Sequence, residues 1–309
     1  MCSWYASEMQ KAAERRAAIA KIIGLGGSVE YYDASNPDID SQPPQWHSWL
    51  RKLHGDQHLG YAVGAVLGGP RFTDAELVHL KHLTHLESLV LVDTQTTDAG
   101  LVYLEALPRI ESLVLISGQI TDTGLVHLKS LTNLKSLDLS GPQTTNNGLV
   151  HVQDLARLEN LTLMGTQTTD AGLIHLKGLT NLKSLDLSVT QHTGTGLMHL
   201  KNLRNLERLS LSMTQVTDAG LAHLQSLKSL KWLNLSSTQV TDAGLVHLKG
   251  LTELESLDLV GQELTDVGLV HLRVLTELKR LKIQGTQFTN EGLWKLHQAL
   301  PKCLITYIR

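Results

Sequence analysis

The sequence predicts an α/β solenoid: a right-handed horseshoe with parallel strands on its concave face, short helices on its convex face and a helical N-terminal cap. Three observations carry that expectation. Variants of the string Thr-Asp-Ala-Gly-Leu-Val-His-Leu recur every 24 residues, their first Thr at 73, 97, 121, 145, 169, 193, 217, 241, 265 and 289. Most are followed by a Leu-x-x-Leu-x-Leu segment such as Leu86, Leu89 and Leu91. A fixed period of 20–50 residues marks stacked supersecondary units that bury one continuous core between them. Finally, residues 1–61 lack the period and form an N-terminal helix and cap region, leaving 62–309 to about ten repeats and a terminal strand.

In the cap, Tyr5 to Ile23 reads as a helix with Met9, Ala12, Ala13, Ala17, Ile19, Ala20 and Ile23 on one arc, interrupted by Arg16 and ended by Gly24 to Gly27. Ser28 to Asp33 reads as a short strand. Asn36-Pro37 through Pro43-Pro44 reads as a loop, because each proline turns its predecessor away from helix. A second helix follows with Trp46, Trp49, Leu50 and Leu53 at i, i+3, i+4 and i+7, its tryptophans sealing the open core. Within a repeat, pleating sends Leu86, Leu89 and Leu91 inward, and a helix from Asp98 to about Ala106 adds Leu101 and Leu104. Thr97 is placed to cap that helix, with Asp98 favoured by its dipole. Gly100 costs about 1 kcal/mol inside a helix, so its recurrence signals close approach of neighbouring repeats.

Composition narrows the function. The chain has 309 residues, 42% of them apolar, and a net charge of -3, with an isoelectric point near 6.6. That balance supplies no electrostatic reason to bind nucleic acid. Cys2 and Cys303 are the only cysteines, which excludes a disulfide framework or a cysteine metal cluster. The apolar run Tyr61 to Leu67 is far below the ~18 residues of a membrane span, and Glu8 stands where a signal peptide would be apolar. No Gly-rich loop has the strand-to-helix context and Lys of a nucleotide site, so no cofactor is expected.

On these residues the repeats of 62–309 resemble bacterial leucine-rich repeat proteins built on Thr-Asp-Ala-Gly-Leu units. Such proteins often carry a segment like Ala20 to Asp33 and then a Trp-Leu-Arg motif, here Trp49-Leu50-Arg51. The resemblance also implies that a membrane helix can precede the cap, with Trp4-Tyr5 at its boundary. The chain is thus expected to be cytoplasmic as it stands, and membrane-anchored where such a helix precedes it. The repeats are similar as well to the repeat half of F-box substrate receptors, but no F-box-like segment precedes them, which disfavours a ubiquitin-ligase role.

Several columns of side chains could carry function. Histidine recurs at 79, 127, 151, 175, 199, 223, 247 and 271, with Lys81, Lys129, Lys177, Lys201, Lys249 and Arg273 two positions later. A line of single imidazoles does not converge on a metal, so no metal site is expected, although this face gains charge below about pH 6. A second column alternates as Glu111, Lys135, Glu159, Lys183, Glu207, Lys231, Glu255 and Lys279, each charge expected to see opposites on both sides. On the concave face, Val66, Val90, Val92, Val114 and Ile116 form an apolar strip that the cap is expected to cover. Asp138, Asn160 and Asp186 lie in a small polar strip, and Arg208, Trp232, Asn234, Asp258, Arg280 and Lys282 place an aromatic among cations, the composition of an interface hot spot.

These nine residues are the candidate binding site of a non-catalytic module whose partner is another protein. The alternative is a receptor for a glycan or other small polar ligand, stacked on Trp232. Catalysis is not expected: the histidines lie on helices and the concave acids on strands, and Asp138 and Asp186 are two repeats apart. Weak self-association through the terminal strand near Leu304 to Ile308 is a further expectation.

Overall fold

The computed structural model describes residues 2–31, 61–261, 264–284 and 287–308. The expected second cap helix, with Trp46 and Trp49, and the proline loop lie outside those residues. Twelve strands form one open sheet in chain order. They are β1 Ser28–Tyr31, β2 Ala62–Gly68, β3 Ser88–Val92, β4 Ser112–Ile116, β5 Ser136–Asp138, β6 Asn160–Thr162, β7 Ser184–Asp186, β8 Arg208–Ser210, β9 Trp232–Asn234, β10 Ser256–Val260, β11 Arg280–Gln284 and β12 Leu304–Ile308. β1 runs antiparallel to β2. Every later pair is parallel with a register step of 24, as in Leu89↔Leu113 and Leu257↔Leu281. The fold is therefore the expected solenoid, its leucines stacked in a core that runs from Leu67 to Leu300.

The convex side departs from the expected helices in its winding. The segment Asp98–Ala106 is a 3-10 helix, as are those at 124–130, 170–176, 195–202 and 244–250, while α-helical turns return at Asp266–Leu272 and Asn290–Ala299. Tighter winding suits a 24-residue repeat, in which few residues must cross the core and return to the sheet. Each of these 3-10 segments closes on an i→i+3 bond, such as Leu107 N–H to the Leu104 carbonyl at 2.9 Å, whereas Asn290–Ala299 closes with Leu300 N–H on the Leu296 carbonyl.

The threonine caps form at several repeats: Thr97 Oγ1 accepts from Ala99 N–H at 3.3 Å and Thr145 Oγ1 from Asn147 N–H at 3.2 Å. The neighbouring aspartate does more than meet a dipole, which corrects its expected role. Asp98 Oδ1 accepts the Thr121 N–H at 2.7 Å and its Oδ2 accepts the Thr121 hydroxyl at 2.6 Å, so the carboxylate ties one repeat to the next. Asp74, Asp122, Asp218, Asp242 and Asp266 repeat this contact on Thr97, Thr145, Thr241, Thr265 and Thr289. The recurrent glycine makes room for it: a Cβ on Gly148 would stand 2.5 Å from Asp122 Oδ1.

The cap helix extends from Cys2 to Gly24. Its packed face differs from the expected arc. Ala18 and Ile22 are buried, whereas Met9 and Ile23 are 38% and 52% exposed. The buried apolar contact with the first repeat is made by the C-terminal turns, where Ile22 and Phe72 crowd Gly27. His82 Nδ1 lies 3.3 Å from Glu14 and adds a polar tie. On the concave side of the first strands, Val66 remains 40% exposed and Val90, Val92, Val114 and Ile116 are half-buried among the described residues.

The charge column is paired in one direction only. Lys135, Lys183 and Lys279 reach back to Glu111, Glu159 and Glu255 at 2.8 Å, and Lys231 to Glu207 at 3.3 Å. Among the described residues each of these lysines bonds the glutamate of the preceding repeat and none bonds the following one, so the column breaks into separate pairs.

Candidate functional site

Parallel pairing places the residues of successive repeats in rows across the concave face. One row runs Arg208, Trp232, Ser256, Arg280, Leu304, and the next runs Asn234, Asp258, Lys282, Thr306. Where these rows approach the C-terminal end of the sheet they enclose a recess of about 240 Å3, lined by Trp232, Ser256, Asp258, Arg280, Lys282, Leu304 and Thr306 with Leu281 beneath. The Arg208 guanidinium sits 4.7 Å from the centre of the Trp232 ring, a cation–π contact that fixes the indole and closes one of its faces.

Of the nine residues expected from sequence, Trp232, Asp258, Arg280 and Lys282 thus share one recess, with Arg208 against its aromatic wall. The others do not join it. Asp138 Oδ1 accepts the Ser140 N–H at 2.9 Å, Asp186 Oδ1 the Ser188 N–H at 2.8 Å and Asn234 Oδ1 the Ser236 N–H at 2.9 Å. These short side chains cap the ends of their own three-residue strands β5, β7 and β9. Asn160 stands exposed on β6, three strands from Trp232. Sequence reasoning did not place Ser256, Leu304 or Thr306 here, although the 24-residue register sets Leu304 beside Arg280 and Thr306 beside Lys282.

Asp258 occupies the same strand position as those capping side chains but makes no such bond. β10 continues to Val260, so the carboxylate stays in the recess. Burial raises its pKa above the ordinary carboxylate value, with Lys282 and then Arg280 pulling it back down.

Outside the recess, the histidine column meets the preceding repeat one residue at a time. His127 Nδ1 lies 2.6 Å from Glu105 Oε1, and His175 and His247 meet Gln153 and Gln225 at 3.3 and 3.0 Å. His151 stands near Lys129 instead, and burial followed by that lysine lowers its pKa. Among the described residues no three His, Cys, Asp or Glu side chains are grouped to hold a metal ion, and no helix is long and apolar enough to cross a membrane.

Comparison with known proteins agrees with this architecture. A family model described as Leucine Rich repeat matches residues 202–224 and 223–248. No curated protein matches. Among solved structures the chain is similar to internalin C2 from Listeria monocytogenes str. 4b F2365, with 25% identity and a TM-score of 0.54 over 69% of this chain and 84% of that one. It is also similar to an internalin F of the same strain, with 20% identity and a TM-score of 0.46 over 83% of this chain and 92% of that one. A TDR receptor shares 15% identity with a TM-score of 0.49 over 75% of this chain and 44% of that one. The chain therefore carries leucine-rich repeats in a solenoid of the kind that generally serves as a protein-interaction module.

Proposed function

We propose that this chain is a non-catalytic interaction module that holds a partner protein on its concave face, centred on Trp232 near the C-terminal end of the sheet. The observation that supports this most is the convergence of Trp232, Arg208, Arg280, Lys282 and Asp258 on one recess. A half-buried aromatic ringed by cations is the composition of an energetic hot spot. The concave surface is also the broad face that the repeat's own packing leaves open.

The glycan reading has less behind it. Arg208 already covers one face of the Trp232 ring, and Asp138, Asp186 and Asn234 spend an acceptor on their own backbone. To test the proposal, the full chain and a Trp232→Ala, Arg208→Ala double variant of equal folded content are used as baits in lysate of the source cells. Loss of a bound protein from the variant alone supports the proposal, since truncating a central aromatic typically costs 2 kcal/mol or more, roughly thirtyfold in affinity. Identical captures, or release by soluble sugars, count against it.

A further inference from the structure

The charges of the recess are not arranged like those of the rest of the sheet. Lys135, Lys183, Lys231 and Lys279, just before their strands, each hold a glutamate of the preceding repeat. Arg208, Arg280 and Lys282 have no carboxylate within ion-pairing distance among the described residues. Among the described residues Asp258 is the only acid lining the recess. Arg280 and Lys282 against Asp258 leave one surplus positive charge in the lining, and Arg208 behind the Trp232 ring adds another, on a chain whose net charge is -3.

Asp258 is itself free, because the strand-capping bond made by Asp138, Asp186 and Asn234 is missing there. An occupant must therefore bring negative charge to Arg280 and Lys282 while offering a hydrogen-bond donor to Asp258. A polypeptide with an acidic side chain supplies both, the donor being a main-chain N–H. The rows favour an extended form of it. A chain lying across β9 to β11 meets an aromatic at Trp232, an acceptor at Asp258 and cations at Arg280 and Lys282 in successive steps of ~4.8 Å, the distance between strands.

We infer that the occupant of this recess is an extended acidic segment of the partner protein, its carboxylate held by Arg280 and Lys282 and its backbone N–H by Asp258. This rests on the proposed reading of the concave face as a protein-binding surface. The test uses the full chain on an array of random decapeptides, followed by titration of the tightest peptide against the protein and its variants. Selected peptides should be enriched in Asp and Glu, and replacing those residues by Asn and Gln should abolish binding.

Arg280→Gln with Lys282→Gln should weaken the acidic peptide about tenfold or more by removing attraction, while Asp258→Asn, which keeps an oxygen to accept the backbone N–H and removes only the negative charge, should strengthen it. A purely structural effect would move both variants the same way, and that result overturns the inference. Selection of neutral or basic peptides that still need Trp232 would also overturn it while leaving the concave interaction surface standing. Failure of every peptide to bind would remove both readings. Displacement of the peptide by inorganic phosphate or by an oligogalacturonate at equal charge concentration would show an unspecific anion site, and the acidic segment would again be rejected.

Discussion

His192 occupies a place that other repeats fill with Thr96, Ile120, Thr168, Val216 or Val240, wholly inside the core. Its Nδ1 pairs with Thr190 Oγ1 at 2.6 Å, and its Nε2 is buried without a partner among the described residues. Burial lowers its pKa from 6.5 to about 4, against an opposing pull from Asp170. The unfolded chain then takes up the proton first, so His192 contributes its full stability above pH 6.5 and loses it as pH falls from 6.5 towards 4. His192→Val should flatten this dependence, the largest difference from wild type being on the order of 3 kcal/mol near pH 4. Urea unfolding midpoints of both proteins between pH 4 and 7 check it, and parallel curves would refute it. His192 falls outside the register shared by the eight histidines of the convex segments, so the sequence does not group it with them.

At the scale of the repeat, the Asp–Thr contact joins neighbours along the outer edge. Asn146 shows how the tie tolerates an amide: Oδ1 accepts the Thr169 N–H at 2.9 Å, and Nδ2 donates to Thr169 Oγ1 at 2.9 Å. Asp122→Asn should therefore cost little, whereas Asp122→Ala, which strands the Thr145 N–H and hydroxyl, should cost about 1–3 kcal/mol. Gly148→Ala should cost a similar amount, since its Cβ would meet Asp122 Oδ1 at 2.5 Å and Leu125 Cδ1 at 2.8 Å. Chemical denaturation of the three variants gives the ranking directly, and an Asn variant as damaged as the Ala variant would contradict it.

The tie lapses once. Gly194 stands where the aspartate belongs, in a left-handed conformation at φ 104°, and the Thr217 N–H donates instead to the Thr193 carbonyl at 3.2 Å. Asp170, one repeat earlier, gathers Thr193, Thr195 and the Gly194 N–H, and these bonds hold its pKa below the usual carboxylate value despite burial.

For the whole molecule, twelve strands in sequence order leave β12 pairing only with β11 among the described residues, with Leu304 66% exposed beside the recess. An exposed apolar strand at a sheet edge invites a second copy. Sedimentation at high concentration should show a dimer that Leu304→Lys removes. A strictly monomeric wild-type chain would exclude that association. If the recess also holds a partner segment, the same variant should weaken it, because Leu304 lines both surfaces.

The 24-residue period by itself determined the solenoid, the parallel register, the leucine core and the concave face, since each follows from stacking identical units that cannot bury their apolar side alone. Close approach at Gly100 and its equivalents was equally legible, but not the Asp98-type carboxylate that demands it, because that bond joins residues 23 apart and sits beside a cap that explains the same aspartate locally. Only the tertiary structure decided that many of the convex segments wind as 3-10 helices, that the charged column divides into pairs, and that Asp138, Asp186 and Asn234 cap strands while Asp258 does not. The physical reason is competition for hydrogen bonds. A short acidic or amide side chain turns to its own backbone where the strand ends, and stays available where the strand runs on, and strand length is set by neighbours rather than by local sequence.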